Sequence, residues 1–215
     1  MVRRCSTQSW VGSRFSMGAS VLLAVLALSV GVWSLGCSRS PDVRHFVLGT
    51  QFVSEAGQGA PDLAVLIGPI RLPAYLERPH FASRAGGGKI ELDEFNRWLG
   101  GFEANLTTAL AADLRRQLGS VRVVGYPSAA PFPIDYSVRI HVDEWIVDES
   151  RTLLVRLRWA IVGQGEGEAP LLSAYDSEIE VRGRSPEAIV EAHDRALAEF
   201  ARSIADRLIA LSDVR

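Results

Sequence analysis

Between Tyr136 and Val181 apolar and polar residues alternate through three consecutive runs, a period of two that suits half-buried strands and spoils a helix. Tyr136, Val138, Ile140 and Val142 oppose Ser137, Arg139, His141 and Asp143. Trp145 and Val147 then fall in the opposite phase, which predicts a bulge at Asp143-Glu144. Leu153, Val155, Leu157, Trp159 and Ile161 follow against Arg156 and Arg158, and the Gly-rich stretch 163–168 turns the chain back. Leu171, Ser173, Tyr175, Ser177, Ile179 and Val181 then oppose Asp176, Glu178 and Glu180. Three long strands joined by turns predict an antiparallel meander, its register fixed by arginines facing acids across the second and third strands.

Helical periodicity brackets this meander. Phe95, Leu99, Phe102, Leu106, Leu110 and Leu114 recur at three and four, so a helix is expected from near Asp93 to a stop at Gly119, kinked or broken at Gly100-Gly101. Ser185-Pro186-Glu187 opens a second helix with an N-cap, a first-turn proline and an acid on the dipole. Ile189, His193, Leu197, Phe200, Ile204, Leu208 and Leu211 form its buried stripe. Shorter strands are expected at 45–50, 63–70 and 121–124, with a hairpin of 81–84 and 89–92 across the Ala85–Gly88 turn. Pro69, Pro73 and Pro79 argue against a central strand between them. The fold expected is an α/β (α+β-like) sandwich, a mixed and largely antiparallel sheet packed by two long amphipathic helices.

The N-terminus has a separate logic. Arg3, Arg4 and Arg14 precede an apolar run from Met17 to Leu35 that closes on Gly36-Cys37-Ser38. A basic region, an apolar region and a small residue before the cut are the parts of a secretory signal, and a cysteine after it is where a lipoprotein is acylated. Two or three acyl chains make a stable anchor, at about 0.8 kcal/mol per buried methylene. The competing reading is an uncleaved helix, since roughly 20 apolar residues span a bilayer core. Either way the remainder lies outside the cytoplasm, because positive charge stays inside. The organisation expected is a signal over 1–36, a lipidated N-terminus and short linker over 37–44, and a single domain over 45–212. Ser38 after the cysteine favours the outer membrane over inner-membrane retention.

Composition removes several functions. The chain has a net charge of −2, and discarding the arginines of the signal makes it more acidic, which argues against nucleic acid. Its two cysteines are Cys5, lost with the signal, and Cys37, so the domain has no thiol nucleophile, disulfide or zinc thiolate. His45, His80, His141 and His193 lack metal-ligand spacing. Gly86-Gly87-Gly88-Lys89 lacks the first glycine and the final hydroxyl of a phosphate loop, and no Gly-x-Ser-x-Gly elbow occurs. The acid pairs Asp143-Glu144 and Asp148-Glu149 sit where exposed carboxylates are ordinary. No catalytic, metal or cofactor site is expected.

Several segments, in order, resemble the PqiC/YmbA-type lipoproteins, also called ABC-type transport auxiliary lipoproteins. They are Gly68-Pro69, the run from Leu72 to Pro79 (Leu-Pro-Ala-Tyr-Leu-Glu-Arg-Pro), Ser83-Arg84, the run from Leu92 to Trp98 (Leu-Asp-Glu-Phe-Asn-Arg-Trp), Asn105-Leu106 and Arg158-Trp159. The resemblance implies a non-enzymatic outer-membrane lipoprotein working beside an MCE-domain protein and inner-membrane permease subunits to move lipids or other apolar solutes between membranes. A periplasmic carrier that encloses lipid itself is the alternative, and a hydrolase the third reading. Within the resembling stretch, Leu72, Pro73, Tyr75, Leu76, Arg78, Pro79, Arg84, Phe95, Arg97 and Trp98 form an aromatic and arginine-bearing segment. Those residue types dominate interface energies, so one reading is a contact with a partner or with neighbouring copies in a homo-oligomeric ring. The other is a structural flap over the sheet edge.

Overall fold

The computed structural model describes residues 42–49, 59–60, 62–128, 130–165 and 169–213. The segment expected to be a signal, Cys37 and much of the loops at 55–62 and 163–168 lie outside the described residues. In chain order the elements are β1 (Arg44–Phe46), β2 (Val65–Arg71), β3 (His80–Ala85), β4 (Lys89–Trp98), α1 (Phe102–Leu118), β5 (Val123–Gly125), β6 (Tyr136–Val147), β7 (Thr152–Gly163), β8 (Leu171–Glu180) and α2 (Pro186–Ser212).

The strands make one mixed sheet of eight. Its long ladders are antiparallel, β6 with β7, β7 with β8 and β3 with β4. The shorter ones are parallel: β1 with β4, β2 with both β5 and β6, and β3 with β6 at Ser83 and Val147. The meander is as expected, and the β6 register slips between Val142 and Glu144, the bulge that the phase change announces. Leu153, Val155, Leu157, Trp159 and Ile161 are buried, as are Val138, Ile140, Val142 and Trp145. Over them lie the two helices, α1 against β2 and β5, α2 against β7 and β8, each also packed on the other. This is the two-layer α/β sandwich expected. Asp42–Arg215 forms one compact unit with its own continuous core, the condition for folding alone.

Two expectations need correction. Residues 93–98 belong to β4, and α1 begins only at Phe102. Gly100 and Gly101 have φ of 75° and 90°, so they reverse the chain between strand and helix where a side chain would be strained. The first strand is shorter than expected, three residues from Arg44. Pro69 falls within β2, inside the strand expected over 63–70, at a register slip between Ile67 and Ile70 and beyond the β5 pairing, where no ladder hydrogen bond is required of it, and no further strand runs between Arg71 and Pro79. Gly119 ends α1 at φ 67°, and the Ser185 hydroxyl caps α2 by accepting from Ala188 N–H at 3.2 Å, both as expected.

Asn105 knots the strand-to-helix junction. Its Nδ2 donates to Leu99 O (2.6 Å) and Gly101 O (2.7 Å), and its Oδ1 accepts from Leu48 N–H (3.1 Å). Gly49 N–H donates to Asp194 Oδ1 at 2.7 Å, so the segment after β1 is fastened to both helices. A Cβ at Gly49, φ 79°, would sit 3.0 Å from that of Ala109. Asn105→Ala leaves the buried Leu48 N–H without its acceptor and the Leu99 and Gly101 carbonyls without this donor, and should cost about 1–3 kcal/mol in a urea melt, the penalty for an unpaired buried polar group.

Candidate functional site

The stretch after β2 fills a defect in the sheet. β2 covers one side of β6 as far as His141, β3 resumes at Val147, and between them the β6 backbone lacks a strand partner on that side. The Tyr75 hydroxyl enters this gap and accepts from Trp145 N–H at 3.2 Å. Burial pushes the Tyr75 phenol above its ordinary pKa, so it stays protonated and neutral. Leu76 is buried beneath it, and Leu72 packs on the core with Pro73 half-buried. Trp98 is also a core residue: its ring lies 4.4 Å from Phe81, 5.2 Å from His193 and 5.5 Å from Phe102. Of the contact candidates, then, Leu76 and Trp98 face inward and Tyr75 has a backbone to satisfy.

Arg78, Pro79 and Phe95 remain at the surface, with Arg97 half-buried. Trp98 N–H donates to Pro79 O, which sets the Arg78-Pro79 corner beside the end of β4. Parallel pairing of Arg44 with Asn96 and Phe46 with Trp98 places Val43 level with Phe95 and Val47 level with Leu99. These four side chains are 42%, 40%, 38% and 59% exposed in the order Val43, Phe95, Val47, Leu99, more than half of the large exposed hydrophobics among the described residues. They form two apolar pairs along the outer edge of the sheet, separated by the His45–Arg97 pair, with the Arg78-Pro79 corner at the end of β4. Sequence reasoning misses Val43, Val47 and Leu99, and it puts the last on a buried helix face.

Arg84 lies elsewhere, on the open face of the sheet. It pairs with the buried Glu144, which also accepts from Arg156 at 3.0 Å, and Arg156 reaches Asp176 at 3.4 Å. Arg158 holds Asp143 through two hydrogen bonds of 2.7 and 2.9 Å. The Arg158 guanidinium beside it keeps the Asp143 carboxyl below the usual range. The expected strand-to-strand pairing thus occurs at Arg156–Asp176, while Arg158 turns to β6 instead. Asp148 accepts from Thr152 N–H at 2.8 Å and from Ser150, closing the β6–β7 turn. These carboxylates have structural partners. Among the described residues no three His, Cys, Asp or Glu side chains gather as metal ligands, and no helix is long and apolar enough to cross a membrane.

A cleft of ≈ 400 Å³ opens between β3, the β6–β7 turn and the start of α2. Leu76, Phe81, Trp98, Trp145, Val147 and Ile189 give it an apolar wall, and His193 closes its end. A shallower trough of ≈ 650 Å³ runs beside α1 between Leu72 and Tyr126. His193 sits among Trp98, Phe102 and Trp145 with Nδ1 2.8 Å from Ile189 O. Burial lowers its pKa to about 4, only partly offset by that hydrogen bond, so the ring is neutral near pH 7.

This fold is shared. A crystal structure of an uncharacterized protein superposes with a TM-score of 0.60 at 16% identity, covering 74% of this chain and 99% of that one. A Xanthomonas campestris protein of known crystal structure gives a TM-score of 0.60 at 11% identity, over 79% of this chain and 98% of its own. At these identities the likeness concerns the fold alone. No curated protein sequence matches the chain. The model of one family does match, over residues 46–205, which take in nearly all of the sheet, both helices to near the end of α2, the cleft and most of the apolar strip. The chain belongs to the ABC-type transport auxiliary lipoprotein component family.

Proposed function

We propose that the chain is a non-enzymatic, lipid-anchored subunit of an MCE-type intermembrane transport system, held at the outer membrane through Cys37 and acting by docking. Family membership supports a transport-associated lipoprotein. The observation that carries the docking part is the exposed edge formed by Val43 with Phe95 and Val47 with Leu99, with His45 and Arg97 between them and the Arg78 corner at its end. A strand edge that leaves such side chains in water invites a protein partner, and an arginine rim suits an interface better than a core. A ring of like subunits is the assembly this edge suits, since a heterologous contact that closes gives a cyclic oligomer. The core is filled by side chains, and neither the ≈ 400 Å³ cleft nor the open ≈ 650 Å³ trough encloses a two-chain lipid, which speaks against the carrier reading.

Affinity purification of the tagged protein from solubilised envelopes tests this reading in one step. Mass spectrometry should find an acylated Cys37 as the mature N-terminus, with an MCE-domain protein and permease subunits in the same fraction. Cys37→Ala should release nearly all of the protein from membranes. A native chain that still starts at Met1, or a fraction without MCE or permease chains, contradicts it.

A further inference from the structure

The cleft has a chemistry of its own that docking does not use. Trp145 is wholly buried in its wall, yet the indole N–H has no acceptor among the described residues. At the mouth Arg151, held at φ 63° in the β6–β7 turn, has its Nη2 buried and likewise without an acceptor. Buried donors are normally paired, so two in one cleft ask for an oxygen from outside the chain. The other cleft arginine, Arg84, is already taken by Glu144.

Around the same mouth Glu91 is paired with Lys89, and Arg84 is held by Glu144, which leaves Asp93, Asp148 and Glu149 against Arg151 alone, two more carboxylates than it balances. A simple anion would meet its donors but be repelled by this rim, and a simple cation would suit the rim but leave the donors unpaired. Both demands are met by a head that carries acceptor oxygens inward and a positive charge outward. Below the head, the wall of Leu76, Phe81, Trp98 and Val147 is apolar, and ≈ 400 Å³ lies at the lower end of small-molecule pockets, room for one chain.

We propose that this cleft is a binding site for a single-chain zwitterionic amphiphile, its phosphate-like oxygens on Arg151 and the Trp145 N–H, its ammonium toward the acidic rim and its chain on the aromatic wall. The site stands on the cleft alone and holds whether or not the β1–β4 edge docks a partner.

Dodecylphosphocholine, titrated below its micelle concentration into the domain 42–215, is the probe, with dodecyl sulfate and dodecyltrimethylammonium as chain-matched controls. Two of the three tryptophans in this unit, Trp98 and Trp145, line the cleft, so their emission reports occupancy. Saturable one-to-one binding of the zwitterion, at least tenfold tighter than either charged control, is expected. Arg151→Gln, which removes the charge but keeps a polar side chain, and Ala82→Leu, which narrows the cleft, should each weaken it tenfold or more with unchanged circular dichroism. Equal affinity for all three detergents would mean partitioning onto apolar surface and would overturn the proposal. So would the absence of a saturable change, or zwitterion binding that both folded variants leave intact.

Discussion

Replacing Trp98 by alanine is expected to destabilise the domain by about 3–5 kcal/mol, the range for deleting a buried large aromatic side chain. The indole is the hub of a row of rings, Phe46 to Phe81 to Trp98 to Phe102, that joins β1, β3 and β4 to the first turn of α1, and it also meets His193 on α2. Little nearby can collapse into the space, because both helices are fixed by the Asn105 and Asp194 hydrogen bonds to the segment after β1. Urea or thermal melts of the 42–215 domain read the effect directly. A loss under 1 kcal/mol would mean that the ring is dispensable to the core.

Acid should weaken the same region before it touches the salt bridges. His193 has a folded pKa of about 4 because burial disfavours its charged form, against about 6.5 in an unfolded chain. Between those values the unfolded chain binds a proton that the folded one refuses, so stability falls as pH falls. The contribution is fully retained above pH 6.5. The loss grows to about 3 kcal/mol as pH approaches 4, since each pH unit between the two values costs about 1.4 kcal/mol. Asp143 and Asp148, whose folded pKa values lie below the carboxylate range, lose their contribution only at still lower pH. His193→Gln, which keeps a donor for Ile189 O, should flatten the pH 4–6.5 limb of a urea-midpoint profile. An unchanged slope in that variant would remove His193 as its cause.

Much of the sheet is legible in the residues because burial on one face imposes a period of two, and the bulge is legible because the phase of that period changes at Asp143. The error at 93–98 has the opposite cause. In β4 the inward positions near its end are Asn96 and Trp98, and a buried asparagine, tied by Nδ2 to Asp93 at 2.6 Å, hides the strand period. The outward positions are Phe95 and Leu99, four apart and apolar, which imitates a helix stripe. An outward apolar pair is what a docking edge needs, so the feature that imitates a helix is also the candidate site. The strip itself depends on β1 lying parallel to β4 across some fifty residues of chain, a pairing that local pattern does not carry. Nor does local pattern show that Tyr75 closes a gap in β6, which makes it a poor residue with which to test an interface.

Sedimentation velocity of the 42–215 domain, alone and with the MCE-domain protein proposed as its partner, tests the docking claim most directly when the exposed strip is changed and the core is left alone. The wild type should form a closed oligomer or sediment with the partner. Phe95→Glu with Leu99→Glu, and separately Arg78→Ala, should weaken that association about fivefold or more for each hot spot, with unchanged circular dichroism, because interface energy concentrates in few residues. Leu172→Glu on β8, exposed at the opposite edge of the sheet, should have no effect. A wild-type domain that stays monomeric, and whose partner binding is the same in the Phe95/Leu99 double variant, would contradict docking through this edge.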